Sequence, residues 1–227
     1  MSSNTIIEPD RFRDAITRSF GNNFNVHNQQ DAPEILLRLF DMFIEEQFLE
    51  RATLNIGYRS VIKCNNCLTE TSQTDDSLIL VVPITAHTIQ ASINKVFAKE
   101  ELYGANQFLC NQCNQLENAS KQIHIREFPA FLFVQLVRFR NNLTKDCRTV
   151  YPNVRINLPI QANSSNGIPD YKLLGIISHK GPYGSGHYTA TVFLNNDPYL
   201  CNDHQIYRIN PNRINEQNIY VAVYRLN

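Results

Sequence analysis

The sequence predicts an α+β fold, because helical periodicity fills residues 1–50 and short apolar runs typical of strands fill the rest. A second observation is the pair of Cys-x-x-Cys segments that interrupts the strand-like runs. The third is composition, since 43% hydrophobic and 19% charged residues are the balance of a globular protein. A chain of 227 residues is also long enough to bury roughly 70–75% of its unfolded surface. We therefore expect one α+β unit spanning residues 1–227.

Two helices are predicted in the N-terminal part of the chain. The first begins near Pro9 and ends at Gly21, residues suited to a first helical turn and to a helix end. Its apolar residues, at every fourth position, are Phe12, Ile16 and Phe20. Polar residues 22–28 predict a loop, and the second helix is predicted over residues 30–49. The apolar stripe of the second helix consists of Ile35, Leu36, Leu39, Phe40 and Phe43.

Beyond residue 54 the apolar runs become short and predict strands, with one short helix near residues 88–99. The run 131–137, FLFVQLV, is almost continuously apolar, which is typical of a strand buried on both faces. The predicted strands are 57–63, 78–84, 121–128, 131–139, 154–159, 171–179, 187–194, 198–202, 206–209 and 220–226.

Four cysteines have the spacing of a metal site. Cys64 and Cys67 form one Cys-x-x-Cys pair, and Cys110 and Cys113 form another after 42 intervening residues. Two such turns supply the four thiolates of a tetrahedral structural zinc site, with no open position for catalysis. The alternative is four free cysteines at chance spacing. A nucleic-acid-binding zinc ribbon is disfavoured because acidic residues follow the first pair.

Charge and hydropathy exclude several classes of partner. Lysine plus arginine equals aspartate plus glutamate at 21 each, so no bulk field favours nucleic acid or an anionic membrane. No apolar run approaches the roughly 20 residues that span a bilayer. The first residues lack the pattern of a secretory signal peptide. We expect a monomer in an intracellular compartment, cytoplasmic or nuclear.

One histidine has the surroundings of a general base. His187 opens a predicted strand after residues 181–186, a glycine-bearing loop whose backbone can approach a substrate closely. Asn202 and Asp203 end the next strand, and antiparallel pairing would bring them beside His187 to fix its tautomer. The alternative is an ordinary packed or surface histidine, which is the commoner state. The other five histidines lack a comparable setting.

Five segments resemble, in order, the motifs of the ubiquitin-specific protease family. The segment QQDAPE at 29–34 precedes the second helix, and FPAFLFVQLVRF at 128–139 resembles a strand of that family. The region 171–188 resembles its histidine box, and the cysteine pairs are similar to its zinc site. The remaining matches are 199–206 and 220–224.

This resemblance implies a papain-like cysteine protease fold with a thumb remnant (1–50), zinc-bearing fingers (51–130) and a β-rich palm (131–227). It implies hydrolysis of the isopeptide bond after the C-terminal Gly-Gly of ubiquitin, with ubiquitin or ubiquitinated proteins as partners. His187 would be the general base, Asn202 its orienting partner and Asp203 an adjacent support. The implied substrate-binding residues are Gln30, Asp31, Glu34, Tyr183, Gly186 and Tyr188.

The expected nucleophile is missing from its place in the motif order. The family's cysteine box precedes the segment at 29–34, and the first 28 residues contain no cysteine. Cys147 and Cys201 lie in other motifs and are poor substitutes. Two hypotheses remain: a deubiquitinase domain without its thiol, or a pseudo-protease that binds ubiquitin or another partner. Without the missing segment, we also expect uncovered apolar surface on the second helix and marginal stability.

Overall fold

The structure, a computed structural model, describes residues 9–21, 29–159, 168–216 and 218–227. The helices in this part of the chain are α1 (Pro9–Phe20), α2 (Ala32–Glu45) and α3 (Ile89–Val96). The first seven strands are β1 (Ile56–Cys64), β2 (Glu70–Ser77), β3 (Leu80–Pro83), β4 (Glu100–Leu102), β5 (Phe108–Cys110), β6 (Gln115–Glu117) and β7 (Ala119–Glu127). The last seven are β8 (Phe131–Val137), β9 (Arg155–Asn157), β10 (Asp170–Lys180), β11 (His187–Leu194), β12 (Asp197–Asn202), β13 (Gln205–Arg208) and β14 (Ile219–Leu226).

The N-terminal helices confirm the predicted order, with one correction of length. α1 ends at Gly21, whose φ of 61° suits glycine. The predicted loop 22–28 lies outside the described residues. α2 ends four residues before the predicted boundary, because a turn follows in which Gln47 has a φ of 60°. In the described ranges, no helix combines the length and the apolar character that a membrane crossing requires.

Within the described ranges, the palm sheet has eight strands in the order β13-β12-β11-β10-β14-β8-β3, with β9 paired to β10. It includes β3, although the predicted boundary at residue 130 put that strand in the fingers. Strand β8, between β14 and the edge strand β3, alternates between two apolar layers. Leu132, Val134 and Leu136 are fully buried in the main core. On the other face, Phe131 and Phe133 pack beneath α2, where the Phe133 ring lies 4.7 Å from that of Phe40. The prediction of a strand buried on both faces therefore holds for one face, while the other is only half-buried beneath α2.

The main core lies between the palm sheet and α3. It contains 22 buried residues, among them Ile89 and Ile93 from the inner face of α3. Thr88 accepts a hydrogen bond from the Ala91 amide, which caps α3 at its start. Each large apolar side chain buried here contributes about 1.5–3 kcal/mol. This core fixes the strands that carry the candidate site.

The fingers are a second, thinner sheet in the order β2-β1-β7-β4, with the separate β5–β6 hairpin beyond it. The long strands β1 and β7 were predicted, whereas β2 and the three-residue strands β4, β5 and β6 were not. β2 pairs with β1 along its whole length, yet seven of its eight residues are exposed. Because β2 has no buried face, it has no apolar alternation for the sequence to reveal.

Candidate active site

Two tight turns bring His187 and Asn202 to the same end of the palm sheet. His187 is the first residue of β11 and follows directly on the loop 181–186. β11 then turns into β12 through Asn195 and Asn196, whose φ values of 51° and 71° suit a two-residue hairpin turn. Asn202 ends β12. The predicted antiparallel pairing of these two strands is confirmed.

The side chains of His187 and Asn202 are in hydrogen-bonding contact. His187 Nε2 lies 2.5 Å from Asn202 Oδ1 and 3.9 Å from Asp203 Oδ2. The His187 side chain is 49% exposed, so the ring remains open to solvent. When Nε2–H donates to the amide oxygen, Nδ1 is the ring nitrogen that can accept a proton. The pair therefore has the geometry of a base and the group that orients it.

A cavity of about 320 Å³ lies between the start of α2 and the palm sheet. Four predicted substrate-binding residues line it, namely Gln30, Asp31, Tyr183 and Tyr188. A more open depression of about 600 Å³ shares Gln29, Gln30 and Tyr188 with this cavity and reaches His187. The two depressions together form a path toward the candidate base.

A half-buried carboxylate forms part of the cavity lining. Asp31 Oδ1 accepts a 2.8 Å hydrogen bond from the Tyr220 hydroxyl, and the Tyr188 hydroxyl also hydrogen-bonds to it. Burial raises the pKa of Asp31, and the bond from Tyr220 opposes that rise. Burial, reinforced by the nearby Asp31 charge, raises the pKa of Tyr188 to about 12. The phenols therefore stay protonated and donate to the carboxylate.

Asp31 and Glu34 lie at the start of α2, where a carboxylate can also serve as a helix cap. The Asp31 side chain forms no cap hydrogen bond of normal geometry, and the Glu34 amide has a smaller effect on its pKa than the Tyr220 and Tyr188 hydroxyls, so capping is not its main role. Glu34 lies in the first turn of α2, where a carboxylate complements the helix dipole. Its carboxylate is 2.7 Å from Arg38 Nη2 on the exposed side of the helix. The structure does not bring Glu34 to the cavity lining.

Aromatic rings form the wall of the cavity opposite the start of α2. The Phe139 ring meets three others edge to face, with centroids 5.2 Å from His179, 5.7 Å from Tyr183 and 5.1 Å from Tyr220. The His179 ring is also 4.6 Å from Tyr188. Such packed rings leave little freedom for movement, so the wall is narrow and preformed.

Gly186 is predicted to bind substrate, and the structure gives it a packing constraint. A Cβ built on Gly186 would lie 2.4 Å from the Lys180 carbonyl oxygen and 2.5 Å from His179 Nε2. No side chain fits in that space. Gly186 also lines the depression that contains His187.

Two residues of this region were missed by sequence reasoning. His179 was left without a role, although it is only 1% exposed and lines the cavity. Lys145 was not singled out, although its Nζ lies 2.9 Å from His179 Nδ1. Burial, with a smaller effect of the Lys145 charge, lowers the pKa of His179 to about 4. No local spacing could signal this contact, because the two residues are 34 positions apart.

The two cysteine pairs meet at the end of the fingers. All four Sγ atoms of Cys64, Cys67, Cys110 and Cys113 lie within 4.8 Å of one another. The Cys64–Cys113 and Cys67–Cys110 sulfur distances are 3.9 Å and 3.6 Å. Tetrahedral zinc with Zn–S bonds of about 2.3 Å would separate its sulfurs by about 3.8 Å. The four thiols therefore fit a tetrahedral metal ion.

The other two cysteines, Cys147 and Cys201, lie outside the four-cysteine cluster. Cys147 is exposed and lies two residues beyond Lys145. Cys201 pairs with Ala190 in the β11–β12 ladder. Successive residues of a strand point to opposite faces, so Cys201 points away from the face that Asn202 shares with His187.

Comparison with known proteins gives consistent matches along the chain. A family model described as "Ubiquitin carboxyl-terminal hydrolase" matches residues 1–224. The probable ubiquitin carboxyl-terminal hydrolase 8 of Schizosaccharomyces pombe is 27% identical over 171 residues, covering 73% of this chain and 36% of that protein. The mouse ubiquitin carboxyl-terminal hydrolase 17-like protein E is 32% identical over 225 residues, covering 88% of this chain and 41% of that protein. The chain thus spans about two fifths of the length of these relatives.

A solved structure shows the same fold. It is that of the SAGA Ubp8/Sgf11/Sus1/Sgf73 DUB module bound to ubiquitin aldehyde. The matched chain has a TM-score of 0.82 and 20% identity, and the match covers 95% of this chain and 54% of that one. The predicted α+β arrangement of a papain-like protease, with fingers and palm, is confirmed by this likeness.

Proposed function

The chain belongs to the ubiquitin carboxyl-terminal hydrolase family, and we propose that it carries the base and the substrate channel of a cysteine-type deubiquitinase. The reaction is hydrolysis of the isopeptide bond that follows the C-terminal Gly-Gly of ubiquitin. The observation that carries this proposal is the 2.5 Å contact between His187 Nε2 and Asn202 Oδ1. The cavity that leads to this pair supplies the route for a peptide tail.

In this mechanism His187 moves the proton. Its Nδ1 takes the proton of a cysteine thiol, and the thiolate attacks the carbonyl carbon of the terminal glycine. The protonated imidazole then gives that proton to the departing lysine amine. Asn202 keeps Nε2 protonated and the ring in plane, and Asp203, 3.9 Å from Nε2, favours the imidazolium that forms in between.

The ubiquitin tail is proposed to occupy the cavity lined by Gln30, Asp31, Tyr183 and Tyr188. The narrow aromatic wall favours residues without side chains, such as the terminal glycines. Asp31 offers a carboxylate to an arginine of the tail, and such charge-assisted bonds are the strong ones. Exposed Glu34 lies outside the lining and contributes at most long-range attraction.

The thiol is proposed to come from outside these 227 residues, because the first 28 residues, where the family resemblance implies the cysteine box, contain no cysteine. The depression at His187 is bordered by Ile35 and Leu36 of α2 and by Ile177 of β10. An apolar face of a thiol-bearing segment would be buried there. This chain alone is then expected to leave ubiquitin conjugates uncleaved.

The alternative is a pseudo-protease that binds ubiquitin without cleaving it. The cavity favours this alternative as well, because a channel to which no thiol is supplied permits binding and prevents acyl transfer. Reading the transcript upstream of Met1 separates the two possibilities. An in-frame cysteine box supports the enzyme, and a stop codon without one supports the binding module.

We also propose that the four clustered cysteines hold one structural zinc ion, whose chemistry here is to cross-link two distant turns. Four thiolate ligands complete the coordination, so the ion has no position for water or substrate.

Titration of isotope-labelled ubiquitin with this chain tests the proposed function. We expect perturbation of the C-terminal tail signals, and no binding by ubiquitin that lacks the terminal Gly-Gly. Asp31→Asn should weaken binding about tenfold, because it removes one charge-assisted bond worth about 1.5–3 kcal/mol. The matched control is Glu34→Gln on the exposed side of the same helix, which should bind like the unmodified chain. Absence of binding at millimolar concentration would contradict both the enzyme and the binding module.

A further inference from the structure

One ammonium group connects two loops of the palm that are distant in sequence. Lys145 Nζ donates to the carbonyl oxygen of His179 at 2.7 Å and to that of Gly181 at 2.9 Å. The same Nζ lies 2.9 Å from His179 Nδ1. Three acceptors therefore surround an ammonium group that has three hydrogens. They lie where β10 ends and the loop to His187 begins.

The hydrogen atoms of this contact can be assigned by chemistry. An ammonium group only donates, so Nδ1 of His179 must accept and its Nε2 must carry the hydrogen. Gln29 Nε2 lies 2.7 Å from that Nε2. Two donors cannot pair, so the assigned tautomer requires the Gln29 amide to be turned over, with its oxygen accepting from the ring. Lys145 thereby selects one tautomer of a buried ring and ties it to the segment that precedes α2.

The ring of His179 in turn supports the end of the loop. Gly186 packs so tightly on the His179 ring that a Cβ would approach Nε2 within 2.5 Å. Gly181 has a φ of 122°, and its own Cβ would lie 2.6 Å from Gly186 Cα. Both ends of the loop are thus pressed together on the ring. His187 follows Gly186 directly, so the position of the ring determines where His187 begins.

Lys145 is itself held by a well-anchored hairpin. The backbone of Lys145 pairs with that of Phe139 in an isolated bridge. Lys145 Nζ lies 5.9 Å from the centroid of the Phe139 ring. The next residue, Asp146, donates its amide to the Arg138 carbonyl at 2.6 Å. Arg138 is fully buried and donates through Nε to the Ile219 carbonyl of β14. The ammonium group is therefore placed by the core of the palm.

We propose that Lys145 is a positioning residue whose ammonium group holds the carbonyls of His179 and Gly181 and thereby fixes the loop that carries His187. This inference rests on the proposed function only in that His187 matters as the proposed base. The contacts of Lys145 are present without ubiquitin. Lysine suits the place better than arginine, since a compact ammonium can meet three converging acceptors and a planar guanidinium cannot.

The test is a pH titration of the histidine rings by NMR, combined with amide hydrogen exchange, on the full 227-residue chain. In Lys145→Met, the pKa of His179 should rise above about 4 but stay below its ordinary value, because burial, the larger cause of the lowering, remains. The ring signals of His187 should also move, and amides of residues 181–187 should exchange roughly tenfold faster or more. The control is Lys95→Met, an exposed lysine in the last turn of α3, which should leave all three readouts unchanged.

Two outcomes overturn the proposal. One is a folded Lys145→Met chain whose His187 signals and loop exchange match those of the unmodified chain. The other is an equal disturbance by Lys95→Met. If Lys145→Met fails to fold, Lys145→Gln is measured instead, because its amide retains hydrogen-bond donors without the charge and should shift the same signals less. Ubiquitin binding is measured separately, so failure of the positioning role of Lys145 and failure of the proposed function are distinguishable.

Discussion

The palm and the end of the fingers are stabilised in different ways. The palm sheet belongs to a core of 22 buried residues, and its central strands have neighbours on both sides. Beyond the four-stranded sheet, the β5–β6 hairpin has three residues in each strand, and its facing Leu109 and Leu116 are both 59% exposed. Four clustered thiols stand there in place of a core. Burial therefore orders the region that contains His187, and metal ligation is expected to order the fingertip.

Removal of the metal is expected to have the largest effect on stability. It should destabilise the fingertip and leave the palm unchanged. Structural zinc in small sites has apparent binding energies of about 10–16 kcal/mol. With a strong chelator, amides of β5 and β6 should lose their protection against hydrogen exchange while those of β8 and β14 keep it. Cys110→Ser should reproduce this result and Cys147→Ser should not. Equal loss of protection in the palm would show that the two regions are not independently stabilised.

Truncation of a core side chain tests whether burial stabilises the palm. Leu132→Ala removes a fully buried side chain from β8 and should lower the free energy of unfolding by about 2–5 kcal/mol. The same change at Leu116, 59% exposed on the fingertip, should alter it by less than about 0.5 kcal/mol. Urea unfolding of both variants measures the difference. Similar losses would mean that the fingertip leucine is buried in solution, for example against another molecule.

A smaller contribution to the free energy of unfolding, one that depends on pH, is expected from Asp146 in the hairpin that carries Lys145. Hydrogen bonds from the Arg148 side chain, with a smaller contribution from Arg140, hold the pKa of Asp146 well below its usual range. A lowered carboxyl pKa stabilises the folded state above about pH 4, the value in the unfolded chain, and this contribution disappears as the pH falls further. Asp146→Asn should therefore cost about 1.5–3 kcal/mol at pH 7 and less at pH 3.

Denaturant unfolding at the two pH values measures this effect. Asp197→Asn is the matched control, because its pair with Arg208 is largely exposed and should contribute at most about 1 kcal/mol. A loss from Asp146→Asn that is the same at both pH values would show that the side chain acts through packing and not through its charge.

The comparison of palm and fingers also explains which parts of the fold were predictable from sequence. Strands with a buried face, such as β8 and β14, repeat apolar residues and were found near their true bounds. β2 has the sequence ETSQTDDS, without an apolar residue, and pairing with β1 is what makes it a strand. The end of α2 was misplaced because Phe48 is apolar yet 80% exposed beyond the helix.

The candidate site likewise contains residues that could be predicted from the sequence and residues that could not. His187 and Asn202 lie in sequence motifs, and one hairpin brings them together, so their contact could be predicted. The roles of Tyr220 and Lys145 depend on contacts across 189 and 34 residues, which no local pattern encodes. Long-range packing determines such contacts, and only the folded chain reveals them.

The outer strand of the fingers has a consequence for how this protein behaves when it is concentrated. β2 lies at the edge of its sheet, where backbone groups can pair with a strand of another copy and begin aggregation. Glu70, Asp75 and Asp76 give that edge a concentration of negative charge. Two such edges repel each other near neutral pH, so the strand that lacks a core of its own also protects the chain from self-association. High salt would screen these charges and weaken that protection.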